Sequence, residues 1–292
     1  MSEHPVNVLK NKFSRRKFLA TVGLAGLGGT AYAHWVEPGW LEIGRHEVPV
    51  SKSPGKTPLK ILHLSDCHAS PEVDLDFIQT AIELGLEQQP DLICLTGDFI
   101  TGRFGDGNKY AKVLSLLPAA APTFASLGNH DGGHWACRGG AAGYADTKFI
   151  RGVLSEAKVT LLHNDVASVQ KNGWNVTVAG LGDIWAQEME PGSTFEKIPA
   201  DRGDVALVLS HNPDTKTELN KYPWDLMLCG HTHGGQVCLP FLGAPFAPVQ
   251  DKSILAGLYR WNDRWIHVTR GVGNILGVRF NCRPEVSILT LT

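Results

Sequence analysis

Five short clusters of oxygen- and nitrogen-bearing side chains are strung along this sequence: Asp66 with His68, Asp98, Asn129-His130-Asp131, His211, and His231 with His233. Carboxylates, an amide carbonyl and imidazoles are donors that suit Mn²⁺, Fe or Zn²⁺ better than Ca²⁺. Asp98 has two oxygens with which to bridge two cations, and Asn129 offers a neutral carbonyl. Two divalent ions about 3.5–4 Å apart lower the pKa of a shared water and act as Lewis acids toward a bound substrate. A hydroxide formed in this way can act as a nucleophile, and a nearby imidazole can assist a departing group. Each cluster alone is a weak signal, because a strand-end aspartate more often caps a turn or a helix. Their weight is collective, since each follows an apolar run.

Those runs are the elements that must position the clusters. Leu59–Leu64 reads as a strand leading straight to Asp66. Ser70-Pro71-Glu72 looks like a helix start, with Phe77, Ile78, Ala81 and Ile82 at helical spacing behind it. A second strand over 91–96 ends in Gly97-Asp98 and completes a βαβ unit. A helix near 110–117, a strand over 122–127 and a helix near 146–157 follow. Later runs at 159–162, 167–170, 175–179, 205–209, 226–229, 254–259, 264–269 and 286–291 read as short strands, several joined by hairpin turns. Open α/β sheets place their ligand sites beyond the carboxyl ends of the strands, so the clusters can meet there. Residues two apart on a strand point the same way, the spacing of Asp66/His68 and of His231/His233. Gly97, Gly128 and Gly230 each precede a candidate ligand, where glycine permits a sharp turn or a close backbone approach. The pattern predicts an α/β fold, a four-layer αββα sandwich of two mixed β-sheets flanked by helices.

D-x-H, G-D, G-N-H-D, a lone His and G-H-T-H, in this order within residues 59–291, resemble the calcineurin-like metallophosphoesterases. Arg15-Arg16, Gly234-Gly235-Gln236 and Cys282-Arg283-Pro284-Glu285 make the chain most similar to a twin-arginine-exported bacterial phosphodiesterase branch of that family. The resemblance implies two divalent metal ions acting on a phosphoester substrate. Asp66, His68 and His233 would hold the first ion and Asn129, His211 and His231 the second, with Asp98 bridging. Manganese is favoured, with iron or zinc as alternatives. His130 would contact the phosphate just outside the metals, oriented by Asp131. Purple acid phosphatases carry a tyrosine three residues after the bridging aspartate; Thr101 stands there, which argues against a coloured tyrosinate–iron site.

The N-terminus reads differently. Lys10, Lys12, Arg15, Arg16 and Lys17 face Glu3 alone, and an apolar run with four glycines ends in Ala31-Tyr32-Ala33. A basic region, a short apolar run and a small-x-small ending predict a twin-arginine signal peptide over residues 1–33. That implies the Tat export machinery as a partner and a location in the periplasm or cell envelope, tethered to the membrane if the signal is kept. The run is shorter than the ~20 residues of a membrane span, and its glycines make it a poor helix. Residues 34–57, rich in proline, glycine and serine, read as a linker, and 58–292 as the metallophosphoesterase domain. A net charge of −2 argues against specific nucleic-acid binding. The apolar loop Phe241-Leu242-Gly243-Ala244-Pro245-Phe246 is a candidate membrane or lipid contact. His63, His134, His163 and His267 read as ordinary packed histidines, and the six cysteines are assigned no disulfide.

Three functions compete. The first is a binuclear metal-dependent phosphodiesterase of the cell envelope. The second is a UDP-2,3-diacylglucosamine pyrophosphohydrolase of lipid A assembly, a cytoplasmic-side activity that a cleaved export signal opposes. The third is a non-catalytic scaffold of the same fold, which the full ligand set and His130 oppose.

Overall fold

The computed structural model describes residues 15–50, 56–138 and 142–292. Four parallel strands form the heart of the first sheet: β2 (Leu59–Leu64), β3 (Leu92–Thr96), β4 (Thr123–Ser126) and β5 (Thr160–Leu161). Nearly every residue of β2, β3 and β4 is buried, because both faces are covered. Leu62, Leu64, Ile93 and Leu95 pack under helices α2 (Leu75–Leu86), α3 (Gly107–Leu114) and α5 (Lys148–Glu156), while a short α4 (Leu116–Ala120) follows α3. Leu59, Ile61, Leu92 and Cys94 alternate with them and face the second sheet. That sheet contains β6 (Asp165–Lys171), β7 (Trp174–Gly180), β8 (Val205–Leu209), β9 (Leu226–Cys229), β10 (Gly257–Trp261) and β11 (Arg264–Val268). Its order is β10-β11-β9-β8-β7-β6, with antiparallel hairpins at both edges and parallel strands between. On its outer face Val208, Met227 and Ile266 pack with Trp224 and with Phe195 of α6 (Pro191–Glu196). The result is the predicted four-layer arrangement of two mixed six-stranded sheets with helices outside.

Three expectations are corrected. Helix α2 starts at Leu75, with the Asp74 carboxylate accepting from the Phe77 amide at 2.7 Å. The Ser70-Pro71-Glu72 signal instead makes a turn in which Ser70 Oγ accepts from the Val73 amide, because the same cap chemistry serves both. The proposed linker over 34–57 contains a strand, β1 (Glu42–Val48), paired in parallel with β12 (Glu285–Leu291), which runs antiparallel to β2. The first sheet therefore runs β1-β12-β2-β3-β4-β5. An edge strand needs no continuous apolar run, so the mixed sequence of β1 gave no signal. Finally, residues Arg15–Trp35 form one helix, α1, despite the glycines. Among the described residues no helix is long and apolar enough to cross a membrane.

The last turn of α1 and the segment after it are locked into the domain. The Ala33 carbonyl accepts from the Arg279 amide at 2.9 Å, and Tyr32 lies edge-on to Phe280. Glu37 is wholly buried, its carboxylate accepting from the amides of Asn281 and Cys282. Beside it, the buried Arg279 guanidinium donates to the carbonyls of Arg270, Gly271, Gly273 and Cys282. These bonds curl residues 270–282 into a loop whose Gly273 amide donates to the Asp66 carbonyl at 2.7 Å. A hydrogen bond to a charged group contributes about 1.5–3 kcal/mol. Arg279→Met, which keeps the bulk and removes the donors, should therefore lower stability by roughly 3 kcal/mol or more. Urea unfolding should show a lower midpoint at unchanged slope; an unchanged midpoint would mean that another interaction holds the loop.

Candidate metal centre

The clusters meet at the carboxyl ends of five strands drawn from both sheets. Asp66 and His68 follow β2, Asp98 follows β3, and Asn129, His130 and Asp131 follow β4; His211 follows β8, and His231 and His233 follow β9. Asp66, His68 and His233 form one group, with Nε2 of His68 and of His233 3.0 Å apart and Asp66 Oδ1 3.3 Å from His233 Nε2. Asp98, His211 and His231 form the other, with His211 Nε2 3.1 Å from Asp98 Oδ2 and 3.2 Å from His231 Nδ1. Asp98 Oδ2 is also 3.5 Å from His68 Nε2, so this carboxylate stands between the groups. Ligands about 2.1 Å from a common ion lie roughly 3.0–3.4 Å from one another, which is the scale of these separations.

The backbone of this pocket is unusual. Asp66, His68, Asp98, His231 and His233 all have positive φ, between 47° and 68°. Such conformations are costly for non-glycine residues and cluster at functional sites. They also correct the strand-spacing argument, since β2 stops at Leu64 and β9 at Cys229. The paired ligands converge through left-handed turns, not through the pleat. Two neighbouring glycines are needed for space. A Cβ on Gly128 would overlap the Asp98 carboxylate, and one on Gly230 would overlap the Asp66 carboxylate and the Ser65 hydroxyl.

Three of the four imidazoles, those of His68, His211 and His231, present one nitrogen to the pocket and anchor the other, while His233 Nδ1 has no partner. His211 Nδ1 donates to the Thr96 carbonyl at 2.6 Å, and His231 Nε2 donates to the Pro248 carbonyl at 3.1 Å. His68 Nδ1 bonds the Thr101 hydroxyl at 2.6 Å. Such outer partners fix the ring and leave the inner lone pair for a metal. Burial holds His231 down to about 3, so it is a neutral donor. Burial also disfavours a charge on His211, yet Asp98 and Asp66 lift it well above the usual imidazole range. Asn129 is buried, and its Oδ1 has no hydrogen-bond partner. Two carboxylates, four imidazoles and an orphaned amide oxygen fit a pair of divalent ions.

His130 and Asp131 behave differently from one another. The His130 amide donates to Asp98 Oδ1 at 2.8 Å, and its ring sits edge-on to His68, partly open to solvent. Burial, the largest influence, lowers its pKa and keeps the ring neutral. Asp131 was expected to orient His130, but its carboxylate accepts from the amides of Asp98, Phe99 and Gly128 at 2.7–2.9 Å. It is a positioning residue that ties the turn after β3 to the turn after β4. The Arg270 guanidinium points to Glu285 and Glu42, with which it forms ion pairs. Sequence reasoning passed over Thr101 as a ligand-holder, noting only that it is not tyrosine. It also gave no role to Trp185, whose ring lies 4.3 Å from that of His231 and 4.4 Å from Trp135, forming an aromatic wall. Nothing in the spacing of those tryptophans pointed there.

A profile of the calcineurin-like phosphoesterase family matches residues 59–235. The chain is 43% identical to phosphodiesterase YaeI of Escherichia coli K12 over 282 residues, covering 95% of this chain and 99% of that one. It is 32% identical to the uncharacterised metallophosphoesterase YkuE of Bacillus subtilis, covering 96% and 98% of the two chains. It is 25% identical to UDP-2,3-diacylglucosamine pyrophosphatase LpxG of Chlamydia muridarum, covering 92% and 96%. The profile match over more than half of the chain and the near full-length likeness to two of these relatives place the protein in the calcineurin-like phosphoesterase family.

Proposed function

We propose that the protein is a binuclear, metal-dependent phosphodiesterase that works at a membrane surface. The observation that carries the catalytic reading is the pair of three-residue donor groups with Asp98 between them. Two divalent cations held there would supply an activated water and Lewis-acid stabilisation of charge on the phosphate. Manganese is the first cation to test, ahead of iron and zinc. The chain's own residues do the rest. Asp98 Oδ1 fixes the His130 backbone, so the ring reaches the mouth of the pocket. Its neutral imidazole donates an N–H to the departing oxygen. Asp131 keeps the two ligand-bearing turns in register, and Trp185 with Trp135 screens one side from water. The likeness to a protein named as a phosphodiesterase supports diesters over monoesters.

The envelope reading rests on surface chemistry. Phe18, Leu19, Val22, Leu24 and Leu27 are exposed along α1, which begins with Arg15, Arg16 and Lys17. Phe241, Leu242, Phe246 and Leu276 are exposed on nearby loops, Phe241 completely. The C-terminal part of α1 lines one cavity with Val237, Leu239, Val278 and Phe280, which joins the two apolar surfaces. Basic residues beside exposed apolar ones suit an anionic bilayer. The Tat signal would then be retained as an interfacial tether, since cleavage after Ala33 would cut where the chain is buried and bonded to Arg279. The likeness to LpxG favours a second reading, hydrolysis of the pyrophosphate of UDP-2,3-diacylglucosamine.

Metal-loaded protein should hydrolyse bis-p-nitrophenyl phosphate with Mn²⁺. His130→Ala should lower kcat by about 10²–10⁴-fold with metal content retained, whereas Asp98→Asn should lose metal and rate together. No hydrolysis by intact, loaded protein would leave the scaffold reading in its place. A panel of phosphodiesters and UDP-2,3-diacylglucosamine separates the two enzymatic readings. The protein should also sediment with vesicles containing anionic lipid. A Phe241→Asp/Phe246→Asp variant should bind them less while still cleaving the soluble diester; equal sedimentation would remove the loops from the contact.

A further inference from the structure

A second group of imidazoles lies between the sheets, apart from the metal centre. Along β1, β2 and β12 the residues facing the second sheet are apolar at one end: Val48, Leu59, Ile61, Leu289 and Leu291. Following the same alternation toward the other end, that face becomes polar, with His46 and Gly44 on β1, His63 on β2, and Ser287 and Glu285 on β12. His267 enters from β11 on the opposite sheet.

The contacts form a directed chain. His63 Nε2 is 2.8 Å from Thr96 Oγ1, and His63 Nδ1 is 2.9 Å from His267 Nδ1. His267 is fully buried, yet its Nε2 has no partner. One tautomer explains both facts. His267 Nδ1–H donates to His63, His63 Nε2–H donates to Thr96, and a lone pair remains on His267 Nε2. The reverse tautomer would bury an N–H with no acceptor, which is costly. Metal-bound histidines donate their second N–H in this manner. Burial also keeps both rings neutral, the form that binds metal.

His46 and Glu285 complete the group. Their Nε2 and Oε1 atoms are 3.9 Å apart, the rings of His46 and His267 lie 4.8 Å apart, and one donor atom from each of the three residues falls within 4.8 Å of the others. The Glu285 carboxylate is aimed by Ser287 Oγ on Oε1 and by Arg270 Nε on Oε2, both at 2.7 Å. Opposite it, Gly44 leaves room that any Cβ would fill, because a side chain there would overlap Oε1. We propose that His46, His267 and Glu285 form a third cation site, distinct from the binuclear centre, that takes a zinc-class divalent ion. Two imidazoles and one carboxylate form an established zinc donor set, with ligands about 3.4 Å apart around a tetrahedral ion. His46 is partly exposed on an edge strand, so rotation of its ring closes the remaining gap. The ion clamps β1 and β12 of one sheet to β11 of the other.

The test compares full-length wild type with His46→Ala and His267→Gln after dialysis against buffered Zn²⁺. Metal analysis should find one equivalent per chain fewer in each variant, whatever the occupancy of the binuclear centre. Zn²⁺ should raise the Tm of wild type more than that of either variant, and His46→Ala should still hydrolyse a soluble diester at close to the wild-type rate. Equal metal content in wild type and both variants would overturn the proposal. If the variants fail to fold, zinc-edge anomalous diffraction from wild-type crystals decides. A peak among the three side chains supports the site, and its absence from zinc-loaded crystals overturns it.

Discussion

Two carboxylates that cannot reach water set the terms for this fold. Asp66 and Asp98 are almost completely buried in one pocket, where an uncompensated negative charge is costly. Their surroundings answer that cost at every side. The His231 amide donates to both oxygens of Asp66, the His130 amide donates to Asp98, and the facing imidazoles hold both acids well below the usual carboxylate range against the opposing effect of burial. The left-handed turns of the ligands add about 1–2 kcal/mol of strain per residue. Asp131 spans those turns with three accepted amide bonds. A pocket held in so strained and so acidic a state is preorganised for cations, because little remains to be rearranged on binding.

The donor set is divided between the two sheets. Asp66, His68, Asp98 and Asn129 come from the first, and His211, His231 and His233 from the second. Cations bound between them would therefore cross-link the sandwich, and binding would be coupled to the packing of the layer formed by Leu59, Ile61, Leu207 and Leu228. Thr96 sits at the junction. Its carbonyl accepts from His211 and from Ser65, while its hydroxyl meets His63.

What the sequence disclosed follows from which interactions leave a local trace. The strands β8 and β9 are legible residue by residue, since being covered on both faces demands an unbroken apolar run. The ligand-bearing motifs are legible because each sits directly behind such a run. Contacts made by distant side chains leave no such trace. Arg279 reads as one arginine in a glycine-containing stretch, and only the fold reveals the carbonyls gathered around it. Asp131 lies inside a recognisable motif, but its three backbone partners are spread over two turns, so its identity was visible and its role was not. His46 lay in a segment that resembled a linker, and His267 offered only an unremarkable strand position. Helix α2 was displaced by a cap signal that a turn satisfies equally well.

The pairing of β1 with β12 places residues 42–48 against residues 285–291, the two ends of the domain's sequence. During synthesis the first of these emerges long before its neighbour exists. The edge of the first sheet, the Ala33–Arg279 bond and the Glu37 contacts can close only once residues 279–291 have been made. The helix that precedes β1 therefore gains these partners only after residues 279–282 have been made.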